Sequence, residues 1–187
     1  MKFTIRVEIT TDWDEPDIFE ICRIARPYRQ LEPGSVGLSL AEGKDVLHRL
    51  QGIVVAAQAE EVCMMRRFCT RCHRWLDLKD RRIRKVDTVF GTVPFRSARI
   101  VSCPCETPFL FESPHSPMTK YVPERATGEL LALEAKLSAQ MPYRQVVATI
   151  REFLPVRNTL NHVTVRNRGR IQRVDAIVRW NRSAGVS

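Results

Sequence analysis

The chain lacks the features that would place it in a membrane or on a secretory route. Within its 187 residues, no stretch approaches the roughly 18 uninterrupted apolar residues that a membrane span needs. The first residues alternate polar and apolar side chains and contain no signal-peptide core, so export is not expected. Internal repeats and low-complexity tracts are also missing. These absences favour a globular cytoplasmic protein.

Groups that carry catalysis are equally sparse. There is no glycine-rich phosphate loop, and the carboxylates are concentrated near the start of the chain. Phosphodiester chemistry on nucleic acids commonly needs carboxylates clustered around two metal ions, and residues 126–187 contain no such cluster. The histidines are scattered at His48, His73, His115 and His162. The sequence therefore predicts a protein that is not an enzyme.

What the chain has in excess is positive charge, and it is unevenly distributed. The formal net charge is +9. Residues 1–66 carry 8 basic and 11 acidic side chains, whereas residues 67–187 carry 22 basic and 10 acidic ones. A concentrated positive field raises the encounter rate with polyanions without identifying which polyanion is bound.

Two closely spaced cysteine pairs stand in the basic part, Cys69-Thr-Arg-Cys72 and Cys103-Pro-Cys105. In a cytoplasmic chain this usage favours a metal over disulfides. Four thiolates can surround one Zn²⁺ tetrahedrally, and a closed site of this kind is structural. We therefore predict one structural Zn²⁺ held by Cys69, Cys72, Cys103 and Cys105. Two alternatives stay open: His73 replaces one ligand, or the four thiols bind no metal.

Hydrophobic periodicity predicts the N-terminal elements. Apolar residues alternate from Phe3 to Ile9, which is typical of a half-buried strand. The segment from Asp17 to Ala25 is interpreted as a helix. A capping-box pattern, Ser39-Leu-Ala-Glu42, then opens a long helix that runs to about Arg67 and serves either as a dimer seam or as a strut for the metal unit.

The remaining elements are a hairpin and three helices. Ile83 to Thr88 and Val93 to Val101 predict a β-hairpin between the cysteine pairs. The C-terminal part predicts helices over about 127–140, 143–154 and 161–174. The fold class is therefore α+β, with an N-terminal strand plus long helix, a zinc-ribbon hairpin and a C-terminal helix-turn-helix. The predicted boundaries are 1–67 for the strand and long helix, 68–106 for the zinc ribbon, 107–124 for a linker or irregular wrap, and 125–187 for the helix-turn-helix region.

Two groups of side chains are candidates for DNA contact. The hairpin group is expected to meet phosphates, although charged strand residues are often only a solvated face. The third C-terminal helix carries Asn and Arg, which pair with adenine and guanine edges in the major groove. The alternative there is a plain helical bundle with a basic face. The candidates are Arg81, Arg82, Arg84 and Lys85 on the hairpin and Asn161, His162, Thr164, Arg166, Asn167, Arg168 and Arg170 on the helix.

Several stretches, in order, resemble the N-terminal part of insertion-sequence transposases of the ISKra type over roughly residues 1–170. In that family, a zinc-ribbon-like and helix-turn-helix region recognises transposon ends, and an RNase H-like catalytic domain follows. The resemblance implies a DNA-reading part without the cutting part. It rests on Leu38-Ser-Leu-Ala-Glu42, Cys69-Thr-Arg-Cys72, the Val86 to Arg99 segment VDTVFGTVPFRSAR, Cys103-Pro-Cys105, LLALEAKLSAQMPYRQ and LNHVTVRNR.

These observations together predict a sequence-specific binder of double-stranded DNA. It resembles a truncated or domesticated transposase that recognises transposon-end-like or regulatory sites, associated with the bacterial nucleoid in the cytoplasm. The long helix offers a surface for a homodimer. The rival interpretation is a protein-interaction or assembly module of a larger nucleoprotein complex that contacts RNA.

Overall fold

A computed structural model describes residues 1–11, 15–27, 29, 36–105, 114–122, 124–156 and 160–169. The predicted α+β class is confirmed, since two separate two-stranded antiparallel sheets combine with helices. None of the helices in these ranges has the length and apolarity to cross a membrane. The elements are β1 (Lys2–Ile9), β2 (Asp17–Ala25), α1 (Leu40–Arg66), β3 (Leu78–Thr88), β4 (Gly91–Ile100), a short 3-10 helix (Pro117–Lys120), α2 (Gly128–Ser138), α3 (Tyr143–Phe153) and α4 (162–169).

The N-terminal region is a hairpin, which corrects one prediction. Strand β1 is present as expected, but the segment from Asp17 to Ala25, interpreted as a helix, is the strand β2. It pairs antiparallel with β1 from Lys2 opposite Ala25 to Ile9 opposite Asp17. The spacing of its apolar residues is compatible with both the helical and the strand period. Pairing with β1 outweighs the weak local preference for a helix.

The start of α1 matches its predicted capping box. The Ser39 hydroxyl accepts a hydrogen bond from the Glu42 amide at 3.2 Å, and the Glu42 carboxylate accepts one from the Ser39 amide at 2.9 Å. The guanidinium of Arg26 also donates to Glu42, at 2.6 Å, so the end of β2 is tied to the start of α1. The Arg26 hydrogen bond, followed by those from Ser39, lowers the pKa of Glu42 to about 2.

Helix α1 packs along β4 and forms the first core of the molecule. Its buried residues are Val55, Ala59 and Cys63. The first two belong to a cluster with side chains of both hairpin strands, so one side of this long helix is covered by its own chain. That cluster comprises Val55, Ala59, Val86, Val93, Phe95 and Met118. Cys63 belongs to a second, smaller cluster with Ala98 and Ile100, against which Leu76 and Leu78 pack.

The described part of the segment predicted as a linker or wrap, 114–122, lies against the β3–β4 hairpin. His115 exchanges backbone hydrogen bonds with Ile100 at 2.9 and 3.0 Å. The Ser116 hydroxyl is 2.6 Å from that of Ser97, and both residues are buried. Because Met118 enters the α1 core, this segment is packed rather than extended through solvent.

The C-terminal helices share a core of their own. Its buried side chains come from α3, α4 and the chain between them, with α2 packed alongside through Leu133 and Leu137. The turn at Gly91 (φ 107°) lies close to this unit, because a Cβ there would stand 2.8 Å from the Pro155 carbonyl oxygen and 2.6 Å from His48 Nδ1. The core residues are Val146, Val147, Ile150, Val156, Leu160 and Val165.

Candidate metal centre and nucleic-acid interface

The four cysteines predicted to hold a metal converge at the open end of the β3–β4 hairpin. Their sulfur atoms all lie within 4.8 Å of one another, and Cys72 Sγ is 3.5 Å from Cys103 Sγ. Tetrahedral coordination with metal–sulfur bonds of about 2.3 Å places sulfur atoms about 3.8 Å apart. All four are free thiols, with Cys69 and Cys103 buried and the other two half-buried. The cluster can coordinate one metal ion, and its geometry is compatible with a structural zinc.

The first cysteine pair sits in a loop closed by backbone hydrogen bonds. The Cys69 amide donates to the Arg74 carbonyl at 3.0 Å, and the His73 amide donates to the Cys69 carbonyl at 2.9 Å. His73 has a left-handed backbone (φ 56°), which lets the chain reverse direction directly after Cys72. The Arg71 guanidinium donates to the Cys105 carbonyl at 2.8 Å and joins this loop to the second pair.

The protein supplies hydrogen bonds that stabilise thiolate at the first ligand. Backbone amides of Cys72 and Arg71 donate to Cys69 and lower the pKa of that thiol to about 7. At Cys103, a backbone hydrogen bond from Cys105 favours the thiolate, but burial and the neighbouring sulfurs outweigh it and raise its pKa to about 12. Four negative charges at this distance are stable together only around a cation.

His73 does not belong to the cluster. Its ring lies 5.9 Å from that of Phe68, centroid to centroid, and the group of potential ligands in the described residues contains only the four cysteines. The structure thus favours the all-cysteine set. Cys63 lies outside it, and burial raises the pKa of this thiol, as expected for a small buried side chain. Cys22 is half-buried in β2.

The predicted basic hairpin residues differ in how their charges are used. The Arg81 guanidinium donates to both carboxylate oxygens of Glu60 on α1. The Arg82 Nε lies 3.3 Å from Asp80, which also accepts two hydrogen bonds from Arg99. Carboxylates of the chain itself therefore neutralise Arg81 and Arg82, two of the residues that were predicted to contact phosphate.

The remaining hairpin charge is open to a ligand. Arg84 donates to the neutral Thr119 hydroxyl at 3.2 Å, and Lys85 is exposed. Sequence reasoning missed Arg96, which is exposed on β4 opposite Ile83, itself 77% exposed. The alternation of side chains along the strand could have identified it. Arg96 lies between the buried Phe95 and Ser97, so it faces the opposite side of the strand from them. We call Arg84, Lys85 and Arg96 together the basic strand surface. By register, Lys85 and Arg96 lie on the outer face with Ile83, whereas Arg84, opposite Phe95, projects from the other face.

On α4, one predicted contact residue serves as a helix cap. The Asn161 Oδ1 accepts hydrogen bonds from the Thr164 amide at 2.8 Å and from its hydroxyl at 3.2 Å. Thr164 is half-buried, whereas His162, Arg166 and Asn167 are exposed. His162, Arg166 and Asn167 are therefore free to meet a ligand, whereas the Oδ1 of Asn161, itself exposed, is used to cap the helix.

Arg168 is buried, although it belongs to a basic stretch of the sequence that was predicted to face DNA. It is only 8% exposed, and it donates to Glu134 on α2 at 2.9 Å and to Asp87 on β3 at 2.6 Å. Burial raises the pKa of Glu134, although Arg168 opposes the shift. Arg168 therefore joins three elements, and we remove it from the candidate DNA contacts. Arg170 lies outside the described residues.

Comparison with protein-family models, with curated proteins and with solved structures finds no match to this chain. The resemblance to ISKra-type transposases accordingly stays a prediction. The chemistry available to the chain is read from two features of its own, the four-cysteine cluster and the basic strand surface.

Proposed function

We propose that this chain is a zinc-stabilised, sequence-specific binder of double-stranded DNA, of the kind expected for the N-terminal part of an ISKra-type transposase. The observation that carries the proposal is the basic strand surface. Its three cations have no carboxylate partner among the described residues, and they stand on a hairpin whose open end is held by four cysteines.

Zinc is the metal we assign to the cluster. A tetrahedral set of four thiolates is typical of zinc or of iron–sulfur centres, and sulfur atoms 3.5 to 4.8 Å apart leave room for a single ion. With no open coordination position, the ion supplies folding free energy rather than chemistry. Its proposed role is to hold the open end of the hairpin rigid and so to fix the positions of its cations.

Affinity and sequence choice are assigned to different elements. Arg84, Lys85 and Arg96 are proposed to neutralise phosphates, which gives affinity without sequence information. Arg166 and Asn167 on α4 are exposed, and these residue types pair with guanine and adenine edges. The action is occupancy of a site without cleavage.

The proposal is tested by the salt dependence of DNA binding. Replacing Arg84, Lys85 and Arg96 by alanine is expected to weaken binding to all duplex sequences. The log–log salt slope should fall by about 0.9 for each phosphate that the variant no longer neutralises. The measurement is fluorescence anisotropy with a labelled duplex at a series of salt concentrations.

A matched control has the same charge change at a different place. Arg6, Arg23 and Arg49 are exposed and lie near carboxylates of the acidic region. Their triple alanine variant removes the same three charges but is expected to keep the wild-type salt slope. Equal decreases in affinity for the two triple variants would show that only net charge matters and would refute a localised contact surface.

A second candidate is an assembly role, favoured by a cleft between the N-terminal hairpin and α1. Its volume is about 690 Å³, and it has an apolar floor that includes Phe19, Ile53 and Met64. An Ile53→Asp variant that changes the mass of the particle in sedimentation, with DNA affinity unchanged, would support this role. If the wild-type chain is monomeric and the Ile53→Asp variant has the same particle mass, the assembly role is refuted.

A further inference from the structure

The loop that carries the first cysteine pair exposes a group of aromatic rings. Phe68 and Trp75 face each other across a backbone bridge, with ring centroids 5.6 Å apart and ring planes at 64°. The His73 ring lies 5.9 Å from Phe68 on the same loop. Trp75 is 60% exposed and Phe68 is 38% exposed. These three residues form what we call the knuckle platform.

The backbone around the platform keeps its rings at the surface. Two hydrogen bonds, from the Cys69 amide to Arg74 and from the Leu76 amide to Arg67 at 2.6 Å, lock the two sides of the loop together. The cysteine cluster anchors the same loop from below. The exposed rings therefore lie on a loop whose backbone is fixed on both sides.

Arginines surround the platform and are not neutralised by acids. The Arg67 guanidinium lies 5.9 Å from the centroid of the Trp75 ring, and its Nε donates to the Leu76 carbonyl. Arg71 donates to the Cys105 carbonyl. No carboxylate pairs with these two, or with the nearby Arg66 and Arg74, in the ranges that the structure describes.

Beside the platform lies a shallow cavity of about 390 Å³ that opens toward the second cysteine pair. Trp75, Arg74, Val101 and Pro104 line it, together with the carboxylate-bearing Asp77 and three cysteines of the cluster, Cys72, Cys103 and Cys105. An exposed aromatic ring with Arg67 and Arg74 beside it suits a flat, weakly polar ring attached to an anion. An unpaired nucleobase on its phosphate backbone has this chemistry.

We propose that the knuckle platform binds an unpaired nucleobase, which stacks on Trp75 while Arg67 and Arg74 meet the adjoining phosphates. Aromatic side chains and arginine contribute in this way to the binding of single strands. A base inside an intact duplex cannot offer its face, so the ligand is a single-stranded segment or a frayed end. The inference rests on the proposed function in taking nucleic acid as the ligand.

The test uses the whole 187-residue chain with Trp75 as its sole tryptophan. The chain has three tryptophans, so Trp13→Phe and Trp180→Phe leave Trp75 as the reporter. Oligothymidylate and oligouridylate of about 12 nucleotides, within the usual range of single-strand site sizes, are titrated beside a blunt duplex. Quenching by either single strand is expected, and the two arms distinguish DNA from RNA as its source.

Affinity measured by anisotropy gives the second readout. Trp75→Ala is expected to weaken single-strand binding about 5- to 100-fold, the loss expected for one stacked base, and to change blunt-duplex binding less than about 2-fold. Trp75→Phe, which keeps an aromatic ring, is expected to lie between. Phe153→Ala is the matched control, since Phe153 is an aromatic residue with 64% exposure outside the platform.

Two results overturn the inference. One is single-strand affinity unchanged in a Trp75→Ala protein that retains its metal content. The other is an abasic strand that binds as tightly as oligothymidylate, which would assign the binding to charge alone. Blunt-duplex binding that survives either result leaves the proposed function standing. A Trp75 effect that persists when Arg84, Lys85 and Arg96 are replaced by alanine supports a platform that binds independently of the basic strand surface.

Discussion

The metal-cluster region and the C-terminal helical unit are stabilised by different physical means. Near the cluster, the fully buried side chains are small: Cys63 and Ala98 with the single larger Ile100. The helical unit instead buries six aliphatic side chains from α3, α4 and the connection between them. Small cores supply little hydrophobic free energy. The comparison indicates that the region around the cluster has little hydrophobic core of its own, whereas the helical unit is stabilised by burial of its own side chains.

The two regions are nevertheless held in one orientation. Arg168 of α4 binds Asp87 of β3 and Glu134 of α2 at once, and the Thr127 amide donates to the Asp87 carbonyl at 2.9 Å. Lys44 of α1 donates to the last carbonyls of α3 at 3.1 and 2.5 Å. The side chains proposed for phosphate contact on the hairpin and for base contact on α4 therefore keep a fixed relative position.

The largest expected effect is removal of the metal. With the proposed zinc in the cluster, Cys103→Ser should unfold the loop of the first cysteine pair and the open end of the β3–β4 hairpin, because structural zinc contributes folding free energy directly, while the amides of α3 keep their protection. Hydrogen exchange resolved by residue measures both regions in one sample. Cys22→Ser, outside the cluster, is the control and should retain one metal ion per chain. Loss of protection in both regions together would show that they fold as one unit.

Next in size is the ion-pair junction between the regions. Arg168→Met leaves the carboxylates of Glu134 and Asp87 without their cation, and breaking a buried ion pair in this way costs about 3–5 kcal/mol of unfolding free energy. Urea unfolding measures the loss. Adding Glu134→Leu should recover part of it, because the second change removes the buried charge. A single variant as stable as the wild type would show that the junction does not join the regions.

A core truncation should affect the helical unit alone. Ile150 is fully buried in α3, and replacing it by alanine is expected to cost about 2–5 kcal/mol while the metal content stays the same. Phe153→Ala, three residues along the same helix and mostly exposed, should change stability by less than about 0.5 kcal/mol. Metal loss in the Ile150 variant would contradict the independence of the two regions.

A smaller effect is expected at the start of α1, the helix that touches both regions. Ser39→Ala removes one half of the capping box and should cost about 0.5–2 kcal/mol. Fraying should reach Lys44, whose hydrogen bonds to the end of α3 then break. Hydrogen exchange of the first turns of α1 measures it, and Ser138→Ala at the end of α2 is a control. Protection that is unchanged at the start of α1 would contradict a stabilising cap.

The smallest effects concern pH, and two carboxylates should act with opposite sign. The lowered pKa of Glu42, about 2, gives stability that is present above its usual value of about 4.5 and is lost as the pH falls toward 2. The raised pKa of Glu134 means that the folded state holds this proton more tightly, so its contribution falls as the pH rises above 4.5.

Glutamine variants separate these two contributions. Glu42→Gln should flatten the pH dependence of the urea midpoint below about pH 4.5, and Glu134→Gln should flatten it above that value. Each midpoint is compared with the wild type at the same pH, so that metal release cancels. If both variants change the pH dependence of the urea midpoint in the same pH range, the surroundings of Glu42 and Glu134 do not shift the two pKa values in opposite directions.

Local sequence patterns were sufficient for much of this protein. The capping box defined the start of α1, alternation defined β1 and the central hairpin, and the paired spacing of the cysteines identified the four candidate ligands. Asn161 caps α4, a role that asparagine commonly takes at a helix start. These features depend on residues close in sequence, or on a hairpin that brings two short motifs together, so a pattern is enough.

Only the tertiary structure decided which charges are available. Arg81, Arg82 and Arg168 look like Arg84 in the sequence, yet the first three meet carboxylates, which for Arg81 and Arg168 lie on other elements, and Arg84 does not. The strand at 17–25 was likewise decided by pairing with β1 rather than by its own spacing. An ion pair or a strand pair depends on where distant residues meet, and that distance is set by packing, which no local pattern contains.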